Sequence, residues 1–328
     1  MTSQDSSARL LAESLGRATG GTNPSLTSAV IPALLRGISR TATALRGAHR
    51  VEKAGSDNVF GDAQLNVDVL AEQFFREEMA ACPAIAAASS EENPVETQST
   101  TRAGDGEETY AVAFDPLDGS SIIAPNWAVG SILGVWAGRT ALRQAPARQV
   151  AAVLGVYGPR TTAVVAVRVP GREDDAVCLE VGVTESGSYE IVRDLTLRNT
   201  ETKTRYFAPA NLRAASEDPR YLALVTGYIA ERYTLRYSGG LVPDVVHALV
   251  KGHGIYLSPV TKGSKAKLRR AFELLPVALV VECAGGAAVD PADGRRILET
   301  PLNHLDETAG LVCGTAEEVE MVRAVFLG

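Results

Sequence analysis

The stretch AFDPLDGSS, Ala113 to Ser121, constrains this chain more than any other. It closes the run Tyr110 to Phe114, which is apolar on both alternating faces, as in a strand buried on two sides. Asp115 follows the strand, Pro116 turns the chain, and Asp118 is the next carboxylate. Two carboxylates around a tight turn, with the Leu117 carbonyl between them, supply the oxygens that a hard divalent cation such as Mg²⁺ takes in a near-octahedral array. Gly119, Ser120 and Ser121 add backbone N–H groups and hydroxyls suited to a phosphate. The alternative for a bare DxxDG is a polar strand-to-helix turn with an Asx cap.

Around this stretch strands and helices alternate. Residues 1 to about 50 read as helical, broken by TGGTNP. Gly55 to Asp62 reads as a flexible loop. Asn66 is placed to cap a helix in which Val67, Leu70, Ala71 and Phe74 keep helical spacing, with Pro83 as its stop. Further strands are expected at Ser131–Trp136, Val150–Tyr157, Thr162–Val169 and Ala176–Val181. The polar segment Arg193 to Arg205 reads as a domain join, giving units 1–200 and 201–328. Pro219 and Pro243 each open a helix. A helix from about Ala266 runs into Pro276, and another precedes Gly285-Gly286. Thr315 and Glu318 form a capping-box pattern for a last helix. The class is layered α/β, or α+β.

Composition removes several function classes. With 32 basic against 39 acidic residues, a net charge of −7, a broad basic footprint for nucleic acid is not expected. Cys82, Cys178, Cys283 and Cys313 lie far apart, without metal-ligand spacing, and read as thiols in a reducing compartment. The most apolar stretch, Leu274 to Val289, contains Pro276 and Glu282 and is too short to cross a bilayer. The N-terminus has no apolar leader. A cytoplasmic chain without membrane partners is the expectation.

Other acids accompany the central motif. Asp62 and Asp68 flank the start of a helix, Glu91-Glu92 follow a short apolar segment, and Glu273 lies in AKLRRAFELLP beside Lys267 and Arg269. Taken singly, each reads as a solvated surface charge. Together with FDPLDGSS, the segments GDAQLNVDVL, SSEEN, VYGPRTT, FAPANLRA, YTLRYSGGLVPDV and KAKLRRAFE stand in an order that resembles the sugar bisphosphatases of the fructose-1,6-bisphosphatase superfamily. VYGPRTT and RYSGGLVPDV resemble its sedoheptulose branch more than its fructose branch.

That resemblance implies a layered α-β-α-β-α sandwich and a Mg²⁺-dependent phosphoric monoester hydrolase. It would act on the 1-phosphate of a sugar bisphosphate, sedoheptulose 1,7-bisphosphate or fructose 1,6-bisphosphate, with two or three Mg²⁺ per site. It implies Glu91, Asp115, the Leu117 carbonyl, Asp118 and Glu273 as metal ligands, with Asp62 as a loop ligand. Asp68 and Glu92 would deprotonate the attacking water. Asp118, Gly119, Ser120 and Ser121 would hold the transferred phosphate. Asn211, Arg236, Tyr237, Lys267 and Arg269 would meet the sugar and the far phosphate, Arg236 reaching in from a neighbouring subunit of a homodimer or homotetramer. Three departures accompany the likeness. Ala124 stands where the family carries an acid. Thr109-Tyr110 replaces the Lys-Tyr pair of AMP-inhibited relatives. An N-terminal regulatory cysteine pair is missing. Weak AMP inhibition and no thiol switch are therefore expected, and a non-catalytic metabolite-binding protein is the alternative that Ala124 raises.

Overall fold

Strands buried on both faces sort the chain into layers. The computed structural model describes residues 3–57, 63–99, 104, 106–145, 148–198, 203–265 and 267–327. Its strands run from β1 (Lys53–Asp57), β2 (Ala63–Leu65), β3 (Ile85–Ser90), β4 (Thr97–Gln98) and β5 (Tyr110–Asp118) to β6 (Val129–Ala137), β7 (Gln149–Tyr157), β8 (Thr161–Val167), β9 (Val177–Val183) and β10 (Tyr189–Asp194). The remainder are β11 (Tyr206–Pro209), β12 (Thr234–Leu235), β13 (Ile255–Ser258), β14 (Ala287–Val289) and β15 (Leu311–Gly314). The helices are α1 (Ser3–Thr19), α2 (Ile31–Gly47), α3 (Asn66–Ala80), α4 (Ser120–Ile123), α5 (Pro219–Ala230), α6 (Leu241–Lys251), α7 (Leu275–Cys283) and α8 (Ala316–Leu327).

A large sheet in the order β10-β9-β8-β7-β6-β5-β3-β4 is antiparallel except where β3 runs parallel to β5. A second sheet, β12-β11-β13-β15-β14, mixes both senses. On β5, Val112 and Phe114 join the core under α1, α2 and α3, while Ala111 and Ala113 face the core that contains α6 and α7. On β13, Tyr256 faces that same middle core, and Ile255 and Leu257 face a third core that includes Tyr221 of α5 and Val322 of α8. The order of layers is therefore α-β-α-β-α, as two-faced apolar strands require. The middle core draws on residues from both sides of position 200.

Several local expectations change. Asn66 is the first residue of α3 rather than its cap, and the Asp68 carboxylate accepts from the Leu65 N–H at 2.8 Å. The buried stripe of α3 is Val67, Ala71, Phe75 and Met79, and Phe74 lies instead beneath the Arg40 guanidinium. Lys53–Asp57 pairs with β2, so the expected loop begins later, and residues 58–62 lie outside the described residues. Pro276 does not stop a helix. A π-helical turn, Arg270–Leu274, passes directly into α7, where Pro276 occupies the first turn and no N–H is required of it. α8 begins after Thr315 as expected, but Glu318 turns away from the cap to accept from the Tyr233 hydroxyl and to meet His253 Nε2 at 3.2 Å.

Candidate metal centre

Asp115 and Asp118 sit at the end of β5, where its ladder with β6 breaks register. Asp115 pairs with Ile132 and Asp118 with Gly130, so the central strand bulges between the two acids. A bulge re-aims side chains, and here the acids turn toward the π-helical turn that carries Glu273. Single carboxylate oxygens of Asp115, Asp118 and Glu273 lie within 4.8 Å of one another, and all three residues are buried. Glu91 extends the cluster. It follows β3, its N–H donates to the Phe114 carbonyl at 3.0 Å, and its charge acts on Asp115 and Glu273. Arg269 stands 3.7 Å from Glu91, and its N–H donates to the Glu273 carboxylate.

Burial dominates the electrostatics. It pushes Asp115 and Glu273 well above the carboxylate range, and the charge of Glu91 pushes both further. Asp118 rises to about 6, again through burial, against two backbone donors that hold it down: Leu241 N at 3.0 Å and Val242 N at 2.7 Å. Asp118 is thus a cap after all, but of α6, more than a hundred residues away, and not of the helix beside it. The close approach this needs is seen at Gly130, where a Cβ would fall 2.4 Å from the Val242 side chain. Asp68 rises to about 7 through burial, with the charge of Glu92 adding to it. One oxygen takes the Leu65 N–H and the other is buried without a hydrogen-bond partner.

All of the clustered donors are carboxylate oxygens, the set that hard divalent cations prefer over zinc or copper. Buried carboxylates this close cannot all ionise without a compensating cation. The residues therefore fit Mg²⁺. Beyond them, Gly119 turns the chain with φ +91°, and Ser120 and Ser121 are exposed on α4.

The remaining expected residues are spread around this centre. Lys267 is exposed. Arg269, expected at the far phosphate, stands 3.7 Å from Glu91. Arg236 is exposed, donates to the Leu235 carbonyl at 2.8 Å and lies over the Tyr206 ring. Tyr237 is exposed, and its hydroxyl is raised by partial desolvation first and then by Asp244. Asn211, with φ +50°, donates to the Pro259 carbonyl at 2.6 Å and accepts from the Ser264 hydroxyl, bracing the loop after β13. Asp62 lies outside the described residues.

Two features escaped the sequence reading. Asp244, buried in α6, accepts from the N–H groups of Ser238 (2.7 Å) and Gly239 (3.3 Å) and so shapes the turn beside Asp118. An acid inside LVPDVV was the available signal. Ser131, fully buried in the apolar strand VGSILGVWA, donates to the Pro116 carbonyl inside the acidic turn. Its signal was a lone hydroxyl among Val129, Leu133 and Val135.

Comparison with known proteins agrees with this geometry. The family model for the fructose-1-6-bisphosphatase N-terminal domain matches residues 19–183, and that for the C-terminal domain matches residues 200–326. The chain is 40% identical over 264 residues to chloroplastic sedoheptulose-1,7-bisphosphatase of Triticum aestivum, covering 80% of this chain but 63% of that protein's length. It is 36% identical to fructose-1,6-bisphosphatase class 1 of Syntrophotalea carbinolica, covering 83% of this chain and 81% of the relative. A crystal structure from Toxoplasma gondii, assigned as a sedoheptulose-1,7 bisphosphatase, superposes with a TM-score of 0.86 at 37% identity, covering 97% of this chain and 98% of that one. Leishmania major fructose-1,6-bisphosphatase in holo form gives 0.78 at 25%, covering 92% and 94%. Among the described residues, no helix is long and apolar enough to cross a membrane.

Proposed function

The chain belongs to the fructose-1,6-bisphosphatase family, and on that footing we propose that it is a Mg²⁺-dependent phosphatase releasing the 1-phosphate of sedoheptulose 1,7-bisphosphate. The observation that carries this reading is the buried cluster of Asp115, Asp118 and Glu273, extended by Glu91. In this reading Glu91, Asp115, the Leu117 carbonyl, Asp118 and Glu273 hold two or three Mg²⁺, with Asp62 as a further ligand. Bound there, divalent cations neutralise the phosphate and acidify water.

The chain's own groups do the rest. Gly119, Ser120 and Ser121 present N–H and hydroxyl donors to the phosphate being transferred. Asp68, held near neutral pH by burial, has an unpartnered oxygen that can take the proton of an attacking water. Glu92 keeps that proton affinity high. Water forms the new P–O bond in line as the ester P–O bond breaks; the sugar oxygen takes a proton from solvent water to leave as a hydroxyl, and Asp68 returns its proton to solvent. Asn211, Tyr237, Lys267 and Arg269 then bind the sugar and the far phosphate. Arg236 faces solvent in this chain, which suits a residue donated to a neighbouring subunit of a homodimer or homotetramer. We assign the phosphate chemistry to residues 1–200 and sugar binding to 201–328, with Glu273 crossing between them. The four cysteines are free thiols, a state that a reducing cytoplasm maintains.

Fructose 1,6-bisphosphate is the second candidate substrate, favoured by the similarity to a class 1 fructose enzyme. Phosphate release from both sugars, with Mg²⁺ and with EDTA, tests the proposal. A Mg²⁺-dependent rate favouring the seven-carbon sugar supports it, and equal rates make the chain a dual bisphosphatase. No release from either refutes catalysis and leaves a binding protein, with Ala124 as the residue to examine.

A further inference from the structure

The bulge between Asp115 and Asp118 holds a peptide that is gripped at both ends. The Pro116 carbonyl accepts from Ser131 Oγ at 2.6 Å, and the Leu117 N–H of the same peptide donates to Asp115 Oδ1 at 2.9 Å. The orientation of this one peptide plane therefore decides where the Asp115 carboxylate points and which of its oxygens is left for a ligand. Neither Pro116 nor Leu117 has a register partner on β6, so the strand ladder does not fix this plane. Ser131 supplies the missing restraint from the neighbouring strand.

Ser131 has one proton, and at 2.6 Å it is committed to the Pro116 carbonyl. The contact of 2.7 Å between Ser131 Oγ and Tyr157 Oη must then run the other way, with the phenol donating. Tyr157 is buried beside Ser131, and burial raises its hydroxyl far above its ordinary value, with Asp115 adding to the effect. It keeps its proton throughout the working pH range. The relay is directional: Tyr157 donates to Ser131, Ser131 donates to the Pro116 carbonyl, and the paired N–H donates to Asp115. Both hydroxyls project from β6 and β7 into the helix-covered core, where their strand neighbours Val129, Leu133, Ala151 and Val153 are apolar. A buried hydroxyl in such a face costs stability unless it is bonded.

We propose that Ser131 and Tyr157 are positioning residues for cation binding, setting the Asp115 carboxylate through the Pro116–Leu117 peptide. This rests on the metal-site reading above but adds two residues that neither touch the cation nor reach the substrate. Partners that orient metal ligands typically change affinity about 10–100-fold when removed.

The test measures Mn²⁺ binding to the full chain by electron paramagnetic resonance, without substrate, alongside the Mg²⁺ dependence of phosphate release. Ser131→Ala should weaken Mn²⁺ binding and raise half-saturating Mg²⁺ by about 10-fold or more. The KM for sugar bisphosphate at saturating Mg²⁺ should move less than about threefold. Ser131→Thr keeps the donor and should restore cation affinity, with far-ultraviolet circular dichroism unchanged in all three proteins. Tyr157→Phe leaves the Ser131 proton undirected and should fall between. Parent-like Mn²⁺ affinity in a folded Ser131→Ala, or no rescue by threonine, overturns the inference while leaving the metal site in place. A parent chain that binds no Mn²⁺ overturns the metal-site reading itself, and this inference falls with it. If Ser131→Ala does not fold, the comparison of Tyr157→Phe with the parent decides.

Discussion

Replacing Asp118 by asparagine isolates what its ionisation costs the fold, because asparagine resembles the protonated carboxyl and cannot ionise. The carboxylate accepts from Leu241 N and Val242 N, one on each oxygen. Asparagine has one acceptor, as the protonated carboxyl has, so in acid it leaves the N–H groups at the start of α6 no worse paired than the parent does, and the ~2 kcal/mol by which the carboxylate pairs them better is already contained in the Asp118 value. What remains is the cost of ionising Asp118 in the fold. Its value rises from 3.8 to about 6, about two units, or roughly 3 kcal/mol once the group is fully ionised. A carboxyl whose folded value lies above its unfolded one favours the fold in acid. That advantage is complete below about pH 4 and is lost as pH rises through about 6. Asparagine has no such term, and removing the charge also relieves Asp115 and Glu273, with the same sign.

For 328 residues the unfolding entropy is roughly 0.7 kcal/mol/K, so ~1 kcal/mol moves Tm by about 1.5 °C. In EDTA, Asp118→Asn should melt ~1–2 °C above the parent at pH 4.5 and ~4–5 °C above it at pH 8. Paired calorimetric scans at the two pH values measure this. A difference in Tm that is the same at both pH values would falsify the reasoning, since ionising Asp118 between them would then cost the fold nothing.

Three other outcomes follow from the same geometry. Glu273→Gln should lower Mg²⁺-dependent turnover by at least ~100-fold with the fold retained, consistent with loss of a ligand; turnover within a few-fold of the parent would remove Glu273 from the metal set. Gly130→Ala places a Cβ 2.4 Å from Val242, which should displace α6 from β6 and cost ~1–3 kcal/mol by denaturant titration; an unchanged midpoint would show that α6 is not held as described. Because burial holds Asp68 near 7 and Asp118 near 6 in the metal-free chain, Mg²⁺ binding should release protons. Calorimetry near pH 6 in two buffers of different ionisation enthalpy should give heats that differ by that release, and identical heats would contradict it.

The residues of the acidic turn were legible in the sequence because their chemistry depends on residue type and local spacing. Asp115, Pro116 and Asp118 bring two carboxylates around one turn whatever surrounds them, and a strand apolar on both faces already implied layers. Boundaries governed by local chemistry also stood, as at Pro219, which opens α5. What failed were assignments in which a side chain had a distant alternative. Glu318 bonds to Tyr233 and His253 rather than to its own helix start. Phe74 and Phe75 differ by one position, and only the packing of α2 on α3 chose which of them is buried. The tertiary structure alone decided that Glu273 meets Asp115, that Asp118 caps α6, and that Ser131 grips Pro116. The first two join residues more than a hundred positions apart and are fixed by how the layers stack, while the third is fixed by the bulge in the β5–β6 register, and no local pattern records either.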